Sequence, residues 1–300
     1  MGIVARAAVP ADMERMVSLL DQQFVFGKGR RTSLAQCFPA TYCAANAGNS
    51  FLLEERGELL SCHAGKRFDL VREAARWQGL MIGAVYTRPE RRAEGLASRL
   101  LEESAENLRQ AGIDFAVLWT DQPEFYARLG WHLADKGVLG ECENRSSSAE
   151  SGNKVSRTPA HAGDFAYLER IRRRWCGSLT MRQADDYRQL PPPATAVELL
   201  TRGEGVEHAT YALVGNDGVM RILYELIGHP DGFPALWAEV CRGYKRILVN
   251  DDNGSVSHRW LAQNTGLVWR EKPLAMWLPL STKMEIAHVT DWYVPYFDRI

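Results

Sequence analysis

Two short stretches of the chain combine residue types and spacings suited to group-transfer chemistry. The first is Arg92-Ala93-Glu94-Gly95-Leu96-Ala97-Ser98. An apolar run over residues 80–87 leads into it, and helical spacing begins at once after Gly95. A helix start exposes backbone N–H groups that have no intrahelical acceptor, and it carries a partial positive charge. Phosphates bind at such starts because both features stabilise an anion. Gly95 lets the backbone come close to a bulky ligand, Arg92 adds charge-assisted donors, and Ala97 is small where a larger side chain would crowd the phosphates. The second stretch is Phe125-Tyr126-Ala127-Arg128-Leu129-Gly130-Trp131. A phenol such as Tyr126 acts as a general acid when it is held within hydrogen-bond reach of a departing atom.

These residues need elements to hold them. Residues 80–87 form a near-continuous apolar run, as expected of a central strand covered on both faces. Ala97, Leu100, Leu101, Ala105 and Leu108 repeat at helical spacing over residues 96–111, and Gly112 fits the C-terminal cap. Residues 115–119 read as a strand, residues 124–129 as a short helix ended by Gly130, and residues 131–134 as the start of a further strand. Upstream, Met13, Met16, Val17 and Leu20 share a helix face, and residues 51–64 read as a hairpin turning at Arg56-Gly57.

A polar segment, residues 143–157, divides the chain near its middle. The expected organisation is a first domain over 1–142, a linker over 143–157, a second domain over 158–280 and a tail over 281–300. The second half repeats the order of elements. It has a helix over 164–175 with Asp164 as N-cap, a hairpin over 210–227 turning at Asn216-Asp217-Gly218, and a helix over 233–242. A strand over 246–249, a helix over 258–264 and a final strand over 275–278 follow. The repetition implies a tandem duplication. The fold class is α/β, with two mixed, mostly antiparallel sheets flanked by helices.

Composition excludes several classes of function. Of 300 residues, 46% are hydrophobic and 24% charged, and the formal net charge is −1, so no global basic field points to nucleic acid or to an anionic membrane. No run of about 18 apolar residues is present, and no secretory signal opens the sequence. A cytoplasmic protein is expected. The six cysteines form no Cys-x-x-Cys pair, so no metal site is expected. A Walker loop and a dinucleotide fingerprint are both absent.

The Arg92–Ala97 loop resembles the pyrophosphate loop of the GNAT superfamily of N-acetyltransferases, which runs Arg or Gln, two residues, Gly, one residue, Gly or Ala. The strand before it, Pro89 at the strand exit, the helix after it and the Tyr126 stretch stand in that family's order over about residues 1–140. The resemblance implies acetyl-CoA as co-substrate, with a primary amine, small-molecule or peptide, attacking its thioester directly. It implies that Val85, Tyr86 and Thr87 hold the pantetheine arm and that residues 92–98 hold the pyrophosphate. A backbone N–H near Val85 would polarise the carbonyl, and Tyr126 would protonate the departing thiolate. Asp21, Glu54, Glu55, His63 and Asp121 stand as candidate bases by location. The second half has Gly228-His229-Pro230-Asp231-Gly232 where the loop would be, and no tyrosine before Gly266, so it reads as a degenerate copy without cofactor.

One active and one degenerate copy in tandem is similar to the enhanced-intracellular-survival acetyltransferases. Those carry a third, sterol-carrier-like domain for which 300 residues leave no room, and their chain terminus serves as base. Transfer of that role to the aromatic tail, residues 293–300, is left open, as is a homo-oligomeric state. A non-catalytic acyl-CoA sensor is the alternative function.

Overall fold

In a computed structural model the chain is described over residues 2–144 and 155–300, so most of the polar segment predicted as a linker lies outside the described residues. The first sheet is built from β1 (Val4–Ala7), β2 (Phe51–Glu55), β3 (Glu58–Arg72), β4 (Ala75–Thr87), β5 (Phe115–Trp119) and β6 (His132–Leu133). After these come β7 (Gly137–Glu143), β8 (Ser156–Pro159), β9 (Ser178–Thr180), β10 (Ala196–Arg202) and β11 (Thr210–Asn216). The remaining strands are β12 (Met220–Gly228), β13 (Arg246–Asp252), β14 (Val268–Glu271) and β15 (Ala275–Pro279). The helices are α1 (Met13–Phe24), α2 (Leu34–Cys37), α3 (Leu96–Gln110), α4 (Pro123–Ala127), α5 (Phe165–Trp175), α6 (Phe233–Cys241), α7 (Val256–Asn264) and α8 (Ile286–Val289).

The sheets do not divide where the polar segment does. The first runs β1-β2-β3-β4-β5-β15-β6 with β9 added to β3, and the second runs β14-β7-β13-β12-β11-β10-β8. Each half therefore gives one strand to the other. β7 fills the place between β13 and β14, and β15 fills the place between β5 and β6. The boundaries 1–142 and 158–280 miss this exchange, because an isolated strand carries the same apolar pattern whichever sheet accepts it. Both strands are central; β15 buries both faces, with Ala275, Met276 and Trp277 all buried, while β7 alternates buried and half-buried residues. The halves are thus joined by main-chain ladders as well as by side chains.

Local signals explain the elements. Arg56 and Gly57 both take positive φ, as a tight hairpin turn requires. α3 buries Leu96, Leu100, Leu101, Ser104, Ala105 and Leu108, and Gly112 at φ +72 ends it. Ala97, expected in that stripe, is only half-buried. Asp164 caps α5, accepting from the Tyr167 N–H at 3.0 Å. α3 covers one face of β4 and β5 through Leu80, Ile82, Ala116 and Leu118. The other face is covered by α1 and α2 at one end and by residues 284–300 at the other.

Candidate active site

The site grows from a parting of strands. β4 and β5 are parallel and pair only from Gly79–Phe115 to Met81–Val117. Beyond Met81, β4 continues for six residues with no strand on that side. The β3–β4 register slips there, with Ala64 opposite Gly83 and Cys62 opposite Tyr86, so Ala84 and Val85 face a single residue, His63. Ala84 takes φ +51, which a residue with a Cβ adopts at a cost of about 1–3 kcal/mol. Such a bulge re-aims the backbone. The Arg88 N–H donates to the Leu60 carbonyl at 2.9 Å, so Tyr86 and Arg88 turn their main-chain groups toward β3. By alternation, those of Val85 and Thr87 turn toward the opening. Tyr86 is buried with its ring among the α1 residues, and its carbonyl accepts from Ser61 Oγ at 2.6 Å. Of the three strand residues expected to hold a ligand arm, Val85 offers free backbone, Thr87 offers its N–H while its carbonyl accepts from Arg92 Nε at 3.4 Å, and Tyr86 is turned away.

The loop leaves β4 at Pro89 and enters α3. Ala93 at φ +65 and Gly95 at φ +76 are both left-handed, which curls the backbone N–H groups inward as an anion-binding nest does. Gly95 is the N-cap and supplies no side chain, so the first N–H groups of α3, those of Leu96, Ala97 and Ser98, keep no side-chain acceptor. A Cβ on Gly95 would meet no atom within 4 Å, so the loop faces open space. Arg92 lies over the loop, with Nε 3.4 Å from the Thr87 carbonyl and Nη2 3.4 Å from Gln23 Oε1, and it has no carboxylate partner among the described residues. Arg91 is tied instead to Glu94 at 2.9 Å and Glu55 at 3.3 Å. Glu94 thus serves to hold Arg91 and leaves Arg92 as the loop's unneutralised cation.

Tyr126 stands in α4, packed edge-on against Phe125 and Trp131 and half-buried beside the α3 core. Burial, with a smaller push from Asp121, raises its phenol to about 12. The hydroxyl is therefore protonated throughout the physiological range, the state a proton donor needs.

None of the candidate bases is free for that role except Asp121, which is exposed. Asp21 is buried and accepts the Leu34 N–H at 2.7 Å. Glu54 is clamped by Arg6 at 3.0 Å and Arg15 at 2.7 Å. Glu55 pairs with Arg91. His63 is fully buried against α3, with Nε2 2.8 Å from Ser104 Oγ, and burial pushes its imidazole down to about 4. Four of the five candidates are structural groups.

The tail is what spacing did not predict. Residues 292–300 run over the face of β4 and β5 opposite α3, and Ile300 stops against the bulge. A Cβ on Gly83 would stand 2.9 Å from the Ile300 carbonyl oxygen, so glycine is what lets the tail lie on β4. The tail is held from the second half. Asp298, buried, accepts from Arg182 Nε and Nη2 and from Thr180 Oγ1. Arg182 also takes Glu225 in a two-pronged pair, and Tyr211 donates to Glu225 at 3.0 Å. Arg221 and Glu225 both interrupt the apolar run of β12, and charged residues in such a strand are the sequence signal that could have flagged buried ion pairs.

The arrangement is that of a known family. Residues 5–134 match the family model for the GNAT acetyltransferase domain. The N-terminal half of the chain is a GNAT acetyltransferase domain, and the protein is an enzyme of the acyltransferase class. Among solved structures it is similar to a GCN5-related N-acetyltransferase from Kribbella flavida, at 15% identity and TM-score 0.69, covering 93% of this chain and 72% of that one. It is also similar to Eis1 from Mycobacterium abscessus, at 13% identity and TM-score 0.62 over 92% and 74% of the two chains. A tandem GNAT protein from the clavulanic acid biosynthesis pathway matches at 9% identity and TM-score 0.55 over 93% and 99%. These likenesses are of fold, and they extend the tandem GNAT architecture over both halves. No curated protein matches the sequence. Among the described residues no helix is long and apolar enough to cross a membrane.

Proposed function

We propose that the protein moves an acetyl group from acetyl-CoA to a primary amine, with the cofactor on the first sheet alone. The observation that carries this reading is the coincidence of three features at one place. They are the parting of β4 from β5, the bulge at Ala84-Val85, and an uncapped α3 start with an unneutralised Arg92. The pantetheine arm lies between the parted strands and takes the backbone of Val85 and the Thr87 N–H. The pyrophosphate takes the N–H groups of residues 93–98 and the Arg92 guanidinium. A backbone N–H at the bulge bears on the thioester oxygen, and charge develops there as the amine attacks. Tyr126, neutral well past pH 7, gives its proton to the sulfur as it leaves.

In the second half α6 begins Phe233-Pro234 behind Asp231, which removes a donor and adds a negative charge where phosphate would sit. We assign that half a supporting role: it supplies β15 and anchors the tail. The test is thiol release from acetyl-CoA with a panel of small amines and lysine peptides, for wild type and Tyr126→Phe. Turnover with an amine, falling by about 10²-fold or more in the variant, is expected. Thiol release by neither protein, from a chain that binds CoA, would favour a non-catalytic acyl-CoA sensor.

A further inference from the structure

The second sheet parts as the first does. β12 and β13 are parallel and pair only from Met220–Arg246 to Leu223–Val249, and β12 then runs on to Gly228 with its edge open. A cavity of about 320 Å³ lies in the opening, between the end of β12, the β13–α7 turn and Tyr293. That volume lies at the lower end of the roughly 300–1,000 Å³ usual for small-molecule sites.

Its polar lining is unfinished. Arg172, 1% exposed, keeps a buried Nε–H with no acceptor, and the Tyr293 hydroxyl and Asp252 Oδ1 are likewise buried without a hydrogen bond. All three residues line the cavity. Buried polar groups are nearly always satisfied, so Asp252 Oδ1 and the Tyr293 oxygen, which can accept, point to a missing donor, whereas the Arg172 Nε–H would need an acceptor from another part of the ligand.

The pairing of the carboxylates in the lining says which partner is missing. Of the carboxylates in the lining, Glu225 is held by Arg182 and Asp291 lies 3.5 Å from Arg72. Asp251 has only serine and backbone donors, with Ser255 Oγ at 3.0 Å, and Asp252 has Lys136 at 3.8 Å, beyond hydrogen-bond reach. Burial accordingly pushes Asp251 up to about 7 and Asp252 up to about 6. The cations at the wall bring no relief to Asp251: Arg172 is spent on Glu169 and Thr180, and Arg259 on the Gly254 carbonyl. Trp175 and Phe233 supply aromatic surface. Such surface accepts an organic cation and its aliphatic body.

We propose that this cavity is a second binding site, for a compact organic amine or guanidine. The cationic head sits at Asp251 and Asp252, the aliphatic body lies along Trp175 and Phe233, and Tyr293 and the open edge of β12 complete its hydrogen bonds. The site is independent of the acetyl-transfer centre, because it lies at the parting of the other sheet. Arg72 and Lys136 of the first half reach its wall, but the proposal does not rest on the acetyl-transfer reading.

The test is calorimetric titration of the full chain with ethanolamine, putrescine and agmatine, with butyrate as the anionic control. At least one of the three cations is expected to bind saturably and butyrate not at all. Asp251→Asn combined with Asp252→Asn should weaken binding by about tenfold or more. The exposed rim substitution Val256→Trp, which plugs the mouth without touching the core, should do the same. No saturable binding of any of the three cations, equal binding of butyrate, or affinity unchanged in the rim variant would overturn the proposal.

Discussion

Arg182→Met is the substitution whose consequence follows most directly from the packing. The Arg182 side chain is 1% exposed, and its two carboxylate partners, Glu225 and Asp298, are 4% and 3% exposed. Its guanidinium also lies 5.0 Å from the Phe297 ring centre and 5.4 Å from that of Tyr187, so methionine keeps most of the apolar contact while removing the charge. Two buried carboxylates are then left without their main cation, a defect that costs about 3–5 kcal/mol. For a chain of this size that lowers the melting temperature by about 10 °C. The pH dependence identifies the cause. In the wild type, burial opposes ionisation of Asp298 but Arg182 and Arg172 outweigh it and hold the carboxyl below its usual range. Its contribution is therefore present above the unfolded value and is lost as pH falls through the folded one. In the variant the stranded carboxylates favour the protonated form, so the penalty is relieved by acid. Urea unfolding at about pH 7 and about pH 5 should show a loss that shrinks at the lower pH. Hydrogen exchange over residues 294–300 should rise in step, since Asp298 anchors the tail. A loss below about 1 kcal/mol, or one that does not shrink in acid, refutes the reasoning.

Other expectations are narrower. With the Tyr126 phenol at about 12, the rate of acetyl transfer should show no alkaline fall from this group at pH 10, where an ordinary tyrosine would ionise, and a fall there that vanishes in Tyr126→Phe contradicts the assignment. His63 is neutral when folded, with its imidazole near 4 against an ordinary 6.5, so stability should be full above pH 6.5 and decline as pH falls toward 4 by about 3 kcal/mol. His63→Asn should flatten that decline in urea titrations. Gly83→Ala puts a methyl group 2.9 Å from the Ile300 carbonyl, and it should loosen the tail and cost about 1–3 kcal/mol, read as faster hydrogen exchange over residues 294–300.

What was legible in the sequence follows from how local each signal is. The hairpin at Arg56-Gly57, α3 with its Gly95 start and Gly112 stop, and the cap at Asp164 are each specified within a few residues, and each stands where spacing put it. The exchange of β7 and β15 was not legible, because Gly137–Glu143 and Ala275–Pro279 carry strand patterns that say nothing about which edge receives them. Long β3 and β4 were read only in part, since Lys66, Arg67, Asp69, Arg76 and Gln78 break the apolar pattern although Phe68 and Leu70 between them are buried. The loop at Arg92–Ala97 was legible as residue types, but the division of labour between its arginines was not. Arg91 turns out to be committed to Glu94, three residues on, and to Glu55, 36 residues back in the chain, and Arg92 is not. The candidate bases failed for the same reason: Glu54 and His63 look available until Arg6, Arg15 and Ser104 are brought beside them.

The central claim is that one acetyl-CoA binds per chain, at the start of α3. Calorimetric titration of CoA into the wild type and into Ala97→Asp tests it most directly. Ala97 is half-buried and sits in the first turn of α3, so an aspartate there sets a negative charge against the pyrophosphate without disturbing the core. The account predicts one site per wild-type chain and affinity reduced by about 10²-fold or more in the variant. Two sites per chain, or affinity indifferent to the aspartate, would contradict it.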